Sequence, residues 1–302
     1  LDGILNADAL QGIYIAETDG TMRINRVASS EGDVVLAAEG SIINSASDGI
    51  VNTRGKNITL SSSYGSIGDF GNTRLVADSD GVFNMTAYGD IYLEEYEGDF
   101  ISDLVSSLTG QIDILVRDGG ADIETLSAAR DMVLKANNGD LLLDTLVSAS
   151  ADLSVSKSGG NLLVNNAMIS GGLKLNADNI SVLNAVHTGP GPFNISAGGG
   201  SSGTADSVAI TAFSPDGVNF ERLSAETAEI NATGRLLINN AFINKNAVFT
   251  NGPYMVILDN VNRALLDTDL QLYSESNRFY LHFPEGDNRY STNAYIVNYD
   301  DD

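Results

Sequence analysis

Apolar side chains recur at alternate positions in short triplets, and the triplets return at a nearly fixed interval. No other feature of the chain limits its fold so strongly. Alternation places the flanking residues of each triplet on one face and the middle residue on the other, the pattern of a strand buried on one side. In chain order the triplets are Ile13–Ile15, Val34–Leu36, Ile58–Leu60, Phe83–Met85, Ile91–Leu93 and Ile112–Ile114, then Met132–Leu134, Leu153–Val155, Leu173–Leu175, Val208–Ile210, Leu236–Ile238 and Leu270–Leu272. From Ile91 through Ile112, Met132, Leu153 and Leu173 the steps are 21, 20, 21 and 20 residues, and Ile13 to Val34 is again 21, while Val34 to Ile58 is 24. A near-constant step is the mark of a repeat architecture, in which no unit buries its apolar face alone and stacking makes the core continuous.

Two internal likenesses support a repeat. Ile13–Gly20 resembles Ile91–Gly98, and Leu162-Leu-Val-Asn-Asn-Ala-Met-Ile169 matches Leu236-Leu-Ile-Asn-Asn-Ala-Phe-Ile243 almost position for position. Gly, Asn, Asp and Ser fill the gaps between triplets and supply turn chemistry. An all-β fold follows, a right-handed parallel β-helix with coils of about 20 residues, each coil ~4.8 Å above the last. The Asn165-Asn166 and Asn239-Asn240 pairs are read first as turn-formers, with Asn ladders at corners as the alternative.

The organisation expected from this is a β-helical shaft over residues 1–252 and a C-terminal segment over 253–302. Within the shaft, 187–206 (His-Thr-Gly-Pro-Gly-Pro, then Gly198-Gly-Gly-Ser-Ser-Gly203) reads as a loop leaving the stack. The C-terminal segment concentrates Tyr254, Tyr273, Phe279, Tyr280, Phe283, Tyr290, Tyr295 and Tyr299, with longer strands around the turn at Pro284. It reads as an aromatic-rich hairpin or cap over an open end, with an aromatic binding platform as the rival.

Composition closes off several functions. Sixteen basic against 40 acidic residues give a net charge of −24, which repels nucleic-acid phosphates. The chain has no Cys, so disulfides, thiolate metal sites and cysteine catalysis are excluded. No apolar run approaches the ~20 residues of a membrane helix. The chain starts at Leu1 with no export signal after it, as expected of a piece cut from something longer.

No catalytic constellation stands out in the sequence. Glu94, Glu95, Glu97 and Asp99, with Asp103 close by, form the densest acidic run. It reads as a solvated turn and outward strand face, against a calcium or cationic-partner site. Arg117, Arg130, Lys135, Lys157 and Lys174 are scattered singly. His187 and His282 are the only histidines and suggest no triad. No stretch fits a twelve-residue calcium loop or the glycine-rich calcium nonapeptide. No catalytic residue and no cofactor is therefore expected, and the surface is compatible only with dispersed calcium binding for which no ligand set stands out. The sequons at Asn57, Asn84, Asn179, Asn194 and Asn231 read as structural.

Gly32-Asp-Val-Val-Leu-Ala-Ala-Glu-Gly-Ser-Ile-Ile43, Gly65-Ser-Ile-Gly-Asp69 and Gly89-Asp-Ile-Tyr-Leu-Glu-Glu95 serve as coil motifs. In this style the chain, over roughly residues 1–250, resembles the repeats of large two-partner-secretion exoproteins, the filamentous haemagglutinin and leukotoxin-like adhesins. The resemblance implies a right-handed β-helix shaft and an outer-membrane transporter as secretion partner. It also implies a secreted or cell-surface location and a role in adhesion, biofilm formation or toxicity toward an unidentified host receptor or glycan. A non-enzymatic adhesin segment is the function expected. The alternative is a polysaccharide lyase or hydrolase, since such enzymes use the same coil and need converging carboxylates.

Overall fold

Every one of the twelve triplets lies on a strand of the computed structural model. The structure describes residues 3–46, 50–69, 73–190, 192–199, 204–233, 236–238, 241–251, 256–258, 269–274, 279–281 and 295–297. Among them there is no helix, and the strands stack in parallel as a β-helix. The chain divides into two units, Leu1–Ala151 and Asp152–Asp302.

In the first unit the alternation converts directly into columns of side chains. Ile15, Leu36, Leu60, Met85, Val105, Leu126 and Leu146 lie one above another in register. From Leu36 onward all are fully buried. On another side, Met22 pairs with Ile42, Ile42 bridges Ile67, Ile67 bridges Ile91, and Ile112 and Met132 follow. Steps of 20 or 21 residues at both ends of that column enclose steps of 25 and 24 at Ile42–Ile67–Ile91. The extra residues build the short strand Thr53–Gly55 beside Leu75–Ser79. Asn52, fully buried, ties this insertion in: its Nδ2 donates to Asn44 Oδ1 at 2.8 Å and its Oδ1 accepts from the Val76 N–H at 2.9 Å. A buried amide so satisfied costs little and fixes the register of its neighbours.

Serine and glycine make the corners. Ser107 Oγ donates to the Gly89 carbonyl at 2.7 Å and accepts from the Gly110 N–H at 3.0 Å, and Ser62 does the same with Gly40 and Gly65. Gly40, Gly65, Gly89 and Gly110 follow one another up this corner so closely that a Cβ on any of them would strike the coil below. At an outer corner two successive side chains point outward, at Asp103–Leu104, Glu124–Thr125 and Asp144–Thr145.

In the second unit Val164, Val182, Ile210, Ile230 and Phe249 form a buried column whose backbone register continues to Leu272. Three expectations change here. Residues 187–206 do not all leave the stack: Phe193–Gly198 is a strand, pairing with Leu173–Asn176 on one side and Val218–Leu223 on the other. Phe193 and Ile195 supply the buried side chains that hold it there, despite the prolines before and glycines after. Asn165 and Asn166 lie within the strand Asn161–Ile169 rather than in a turn, and Asn184 Nδ2 donates to Asn166 Oδ1 at 3.3 Å, so the ladder holds. The parallel ladder also runs past residue 252, through Val256–Leu258 to Phe279–Leu281. Phe279–Leu281 then pairs antiparallel with Tyr295–Val297, the one antiparallel strand pair among the described residues and the hairpin expected of this end. Asn239, Asn240, Tyr254, His282, Phe283, the Pro284 turn, Tyr290 and Tyr299 lie outside the described residues.

Candidate functional site

Lengthened coils open a lateral groove of about 700 Å³ in the first unit, lined by Arg54, Asp78, Asp80, Glu97, Asp99 and Ile101 among others. Ala28, Arg54 and Asp78 stack in register on successive coils. The two strands of the upper wall separate: Leu93–Glu95 pairs with Leu75–Ala77, and there the ladder ends. Asp78–Gly81 and Glu97–Asp99 then face the opening from either side. Gly98, at φ 89°, turns the chain back toward the next coil, a left-handed conformation that favours glycine.

Arg54 crosses the floor. Its Nε donates to Asp78 Oδ2 at 2.7 Å and its Nη2 donates to the same oxygen, while Glu97 Oε2 lies 3.9 Å from Nη2. Asp78 keeps only 7% of its side-chain surface exposed against 55% for Arg54, so the ion pair is buried at the acid and open at the base. The hydrogen bond to Asp78 raises the guanidinium's pKa.

Glu95 stands behind this floor. Alternation along Ile91–Glu95 points it inward, between Ala77 below and Val116 above, with no exposed surface. Its Oε1 accepts the Ser79 N–H at 3.0 Å, and its Oε2 has no hydrogen-bond partner. The carboxyl thus caps a backbone donor left over where the strands part. Burial, reinforced by Asp78 and Asp80, pushes its pKa up to about 9 against the opposing pull of the Ser79 N–H.

The densest acidic run is therefore not one solvated face. Glu94 points outward and pairs with Arg117, whose guanidinium lies 4.7 Å over the Tyr96 ring. Glu95 is buried, and Glu97 and Asp99 line the groove. Asp103, at the outer corner, accepts from Asn84 Nδ2 at 3.4 Å. Among the described residues no group of three or more His, Cys, Asp or Glu side chains is arranged to hold a metal ion. Lys174 pairs with Asp152 at 2.8 Å. His187 is buried, its Nε2 3.1 Å from the Ser170 carbonyl and its ring stacked on Phe193 at 5.1 Å, a packing role. Asn57 and Asn84 bond neighbouring coils through their side chains, as expected of structural sequons.

Nothing in the sequence marks Arg54 or Asp78 as single residues. Their separation of 24 repeats the anomalous Val34–Ile58 step, and that was the available signal. The fold defines an all-β parallel β-helix protein with a lateral polar groove. No family model, curated protein or solved structure matches the chain. No described helix is long and apolar enough to cross a membrane.

Proposed function

We propose that the chain is a non-enzymatic segment of a secreted or surface-exposed bacterial filamentous adhesin and acts as a rigid shaft in cell adhesion or biofilm formation. The observation that supports this most is the unbroken column from Ile15 to Leu146, in which each coil is hydrogen-bonded and packed on its neighbours. Such a stack resists tension because every coil is clamped from both sides. The net charge of −24 keeps a long surface soluble and discourages lateral association. An outer-membrane transporter, a host receptor or glycan, and dispersed weak calcium belong to this reading through the resemblance of repeat style.

Stretching single molecules between their ends tests it. A shaft yields in successive steps, each releasing about 20 residues or roughly 70 Å of chain. Collapse of the stack in one low-force event overturns the reading.

A second reading, a polysaccharide lyase or hydrolase, is favoured by one feature, the groove with Asp78, Asp80, Glu97 and Asp99 around Arg54. Glu95 has no exposed surface and does not reach a ligand there. Release of reducing or unsaturated ends from acidic or neutral glycans, lost in Asp80→Asn or Glu97→Gln, would establish this reading in place of the shaft.

A further inference from the structure

Two tyrosines stand uncovered on the serine-glycine corner of the first unit. Tyr64 and Tyr88 are 72% and 44% exposed, with ring centroids 6.5 Å apart and planes tilted by 52°. Backbone bonds place them on successive coils, where their rings form one stripe: Tyr64 N–H donates to Glu39 O, Tyr88 N–H to Ser62 O, and Thr109 N–H to Tyr88 O. Leu108, 68% exposed, lies beside the stripe with its N–H on the Ala87 carbonyl next to Tyr88, and the exposed Glu39 lies one coil before Tyr64. The same unit shows what its outward tyrosines accept. Arg74 lies 4.6 Å over Tyr92 and Arg117 lies 4.7 Å over Tyr96. Among the described residues no cation covers Tyr64 or Tyr88.

We propose that this stripe binds an extended basic segment of a partner protein, with Arg or Lys at alternating positions, one over each ring. Residues two apart on an extended strand repeat at ~6.8 Å, which matches the 6.5 Å between the rings. A cation over an exposed aromatic face gains attraction from the ring quadrupole. The exposed Glu39, one coil before Tyr64, offers a carboxylate to the next basic residue, and the charge of −24 steers a cationic partner in. Leu108 receives an apolar side chain at the far end. This surface stands independently of the shaft and of the groove.

The test is a binding titration of the full chain with an end-blocked hexapeptide carrying Arg at alternate positions, beside a same-composition peptide with its arginines adjacent. The alternating peptide binds several-fold tighter than the other. Tyr64→Ala and Tyr88→Ala each weaken it about threefold, and together roughly tenfold. Tyr88→Phe keeps the binding, because the ring face remains, and Tyr14→Ala, an equally exposed tyrosine on another strand, leaves it unchanged. Equal affinity of wild type and the double alanine variant overturns the proposal, as does binding of neutral oligosaccharides at this stripe with no preference for the alternating peptide.

Discussion

The Ser79 N–H and the Glu95 carboxyl meet at 3.0 Å where the ladder between their strands ends. One inward carboxyl replaces the backbone acceptor that the diverging chain withdraws. Its pKa of about 9 lies above the ordinary 4.5, so the folded chain holds a proton that the unfolded chain gives up between those values. Stability from this group is then greatest below about pH 4.5 and declines as pH rises toward 9. Glu95→Gln keeps an acceptor for Ser79 and removes the titration. The variant should melt higher than wild type at pH 8, with the gap closing toward pH 4.5. Parallel melting curves across that range would show that Glu95 does not titrate as a buried acid.

Among the described residues Arg54 is the single cation hydrogen-bonded to the nearly buried Asp78. Arg54→Ala should cost about 2 kcal/mol, mostly by leaving that carboxylate without its counter-charge. The double variant Arg54→Ala/Asp78→Ala should lose less than the sum of the single losses, a coupling read from denaturant midpoints. Additive losses would mean that the two side chains act apart.

Buried columns give the largest effect. Val164 is fully shielded, with Val182 in register one coil on. Val164→Asp should cost more than about 4 kcal/mol by burying an unpaired charge, and should unfold at least its own unit. Asp at the outward Met168, 49% exposed on the same strand, should shift the melting temperature little. Equal effects would reverse the assignment of faces.

Much of this architecture was legible because burial of one strand face is a local, period-two property. The 21-residue and 20-residue steps at Ile91, Ile112 and Met132 are true coil register. Sequence likeness was a poorer guide to position. Ile13 heads a column through Val34 and Ile58, whereas its look-alike Ile91 belongs to the column of Ile42 and Ile67. Leu162 pairs with Ile180 while Leu236 pairs with Val218, on another side of the second unit's coil. Strand-plus-corner units are interchangeable between sides, so likeness marks a kind of corner and not a place in the stack. The groove was half legible. Alternation already turned Glu95 inward with Ile91 and Leu93, yet its acidic neighbours read as a solvated run. Only the tertiary parting of two strands explains why an acid belongs there.

Corner glycines set the closeness of coils. A Cβ on Gly65 would meet the Ser41 N, the Ser41 Oγ and the Gly40 carbonyl carbon, whereas one on Gly3 meets nothing within 4 Å. Gly65→Ala should cost about 1–3 kcal/mol through forced backbone shifts, and Gly3→Ala close to nothing. Comparable melting temperatures for the two variants would show that the corner yields without cost.

Ser107 joins two coils with one hydroxyl: it donates to the Gly89 carbonyl of the preceding coil and accepts from the Gly110 N–H of its own, and its neighbour Leu108 bonds back to Ala87. Ser107→Ala strips a partner from two corner groups, and the Gly110 N–H is already buried there. The expected cost is about 1–2 kcal/mol, since a buried donor without an acceptor loses its hydration unrepaid. Hydrogen exchange at Gly110 should accelerate in this variant and return toward wild type in Ser107→Thr, whose hydroxyl restores both bonds. Unchanged exchange in the alanine variant would mean that the corner is held by the backbone ladder alone, with the serine merely fitting the space.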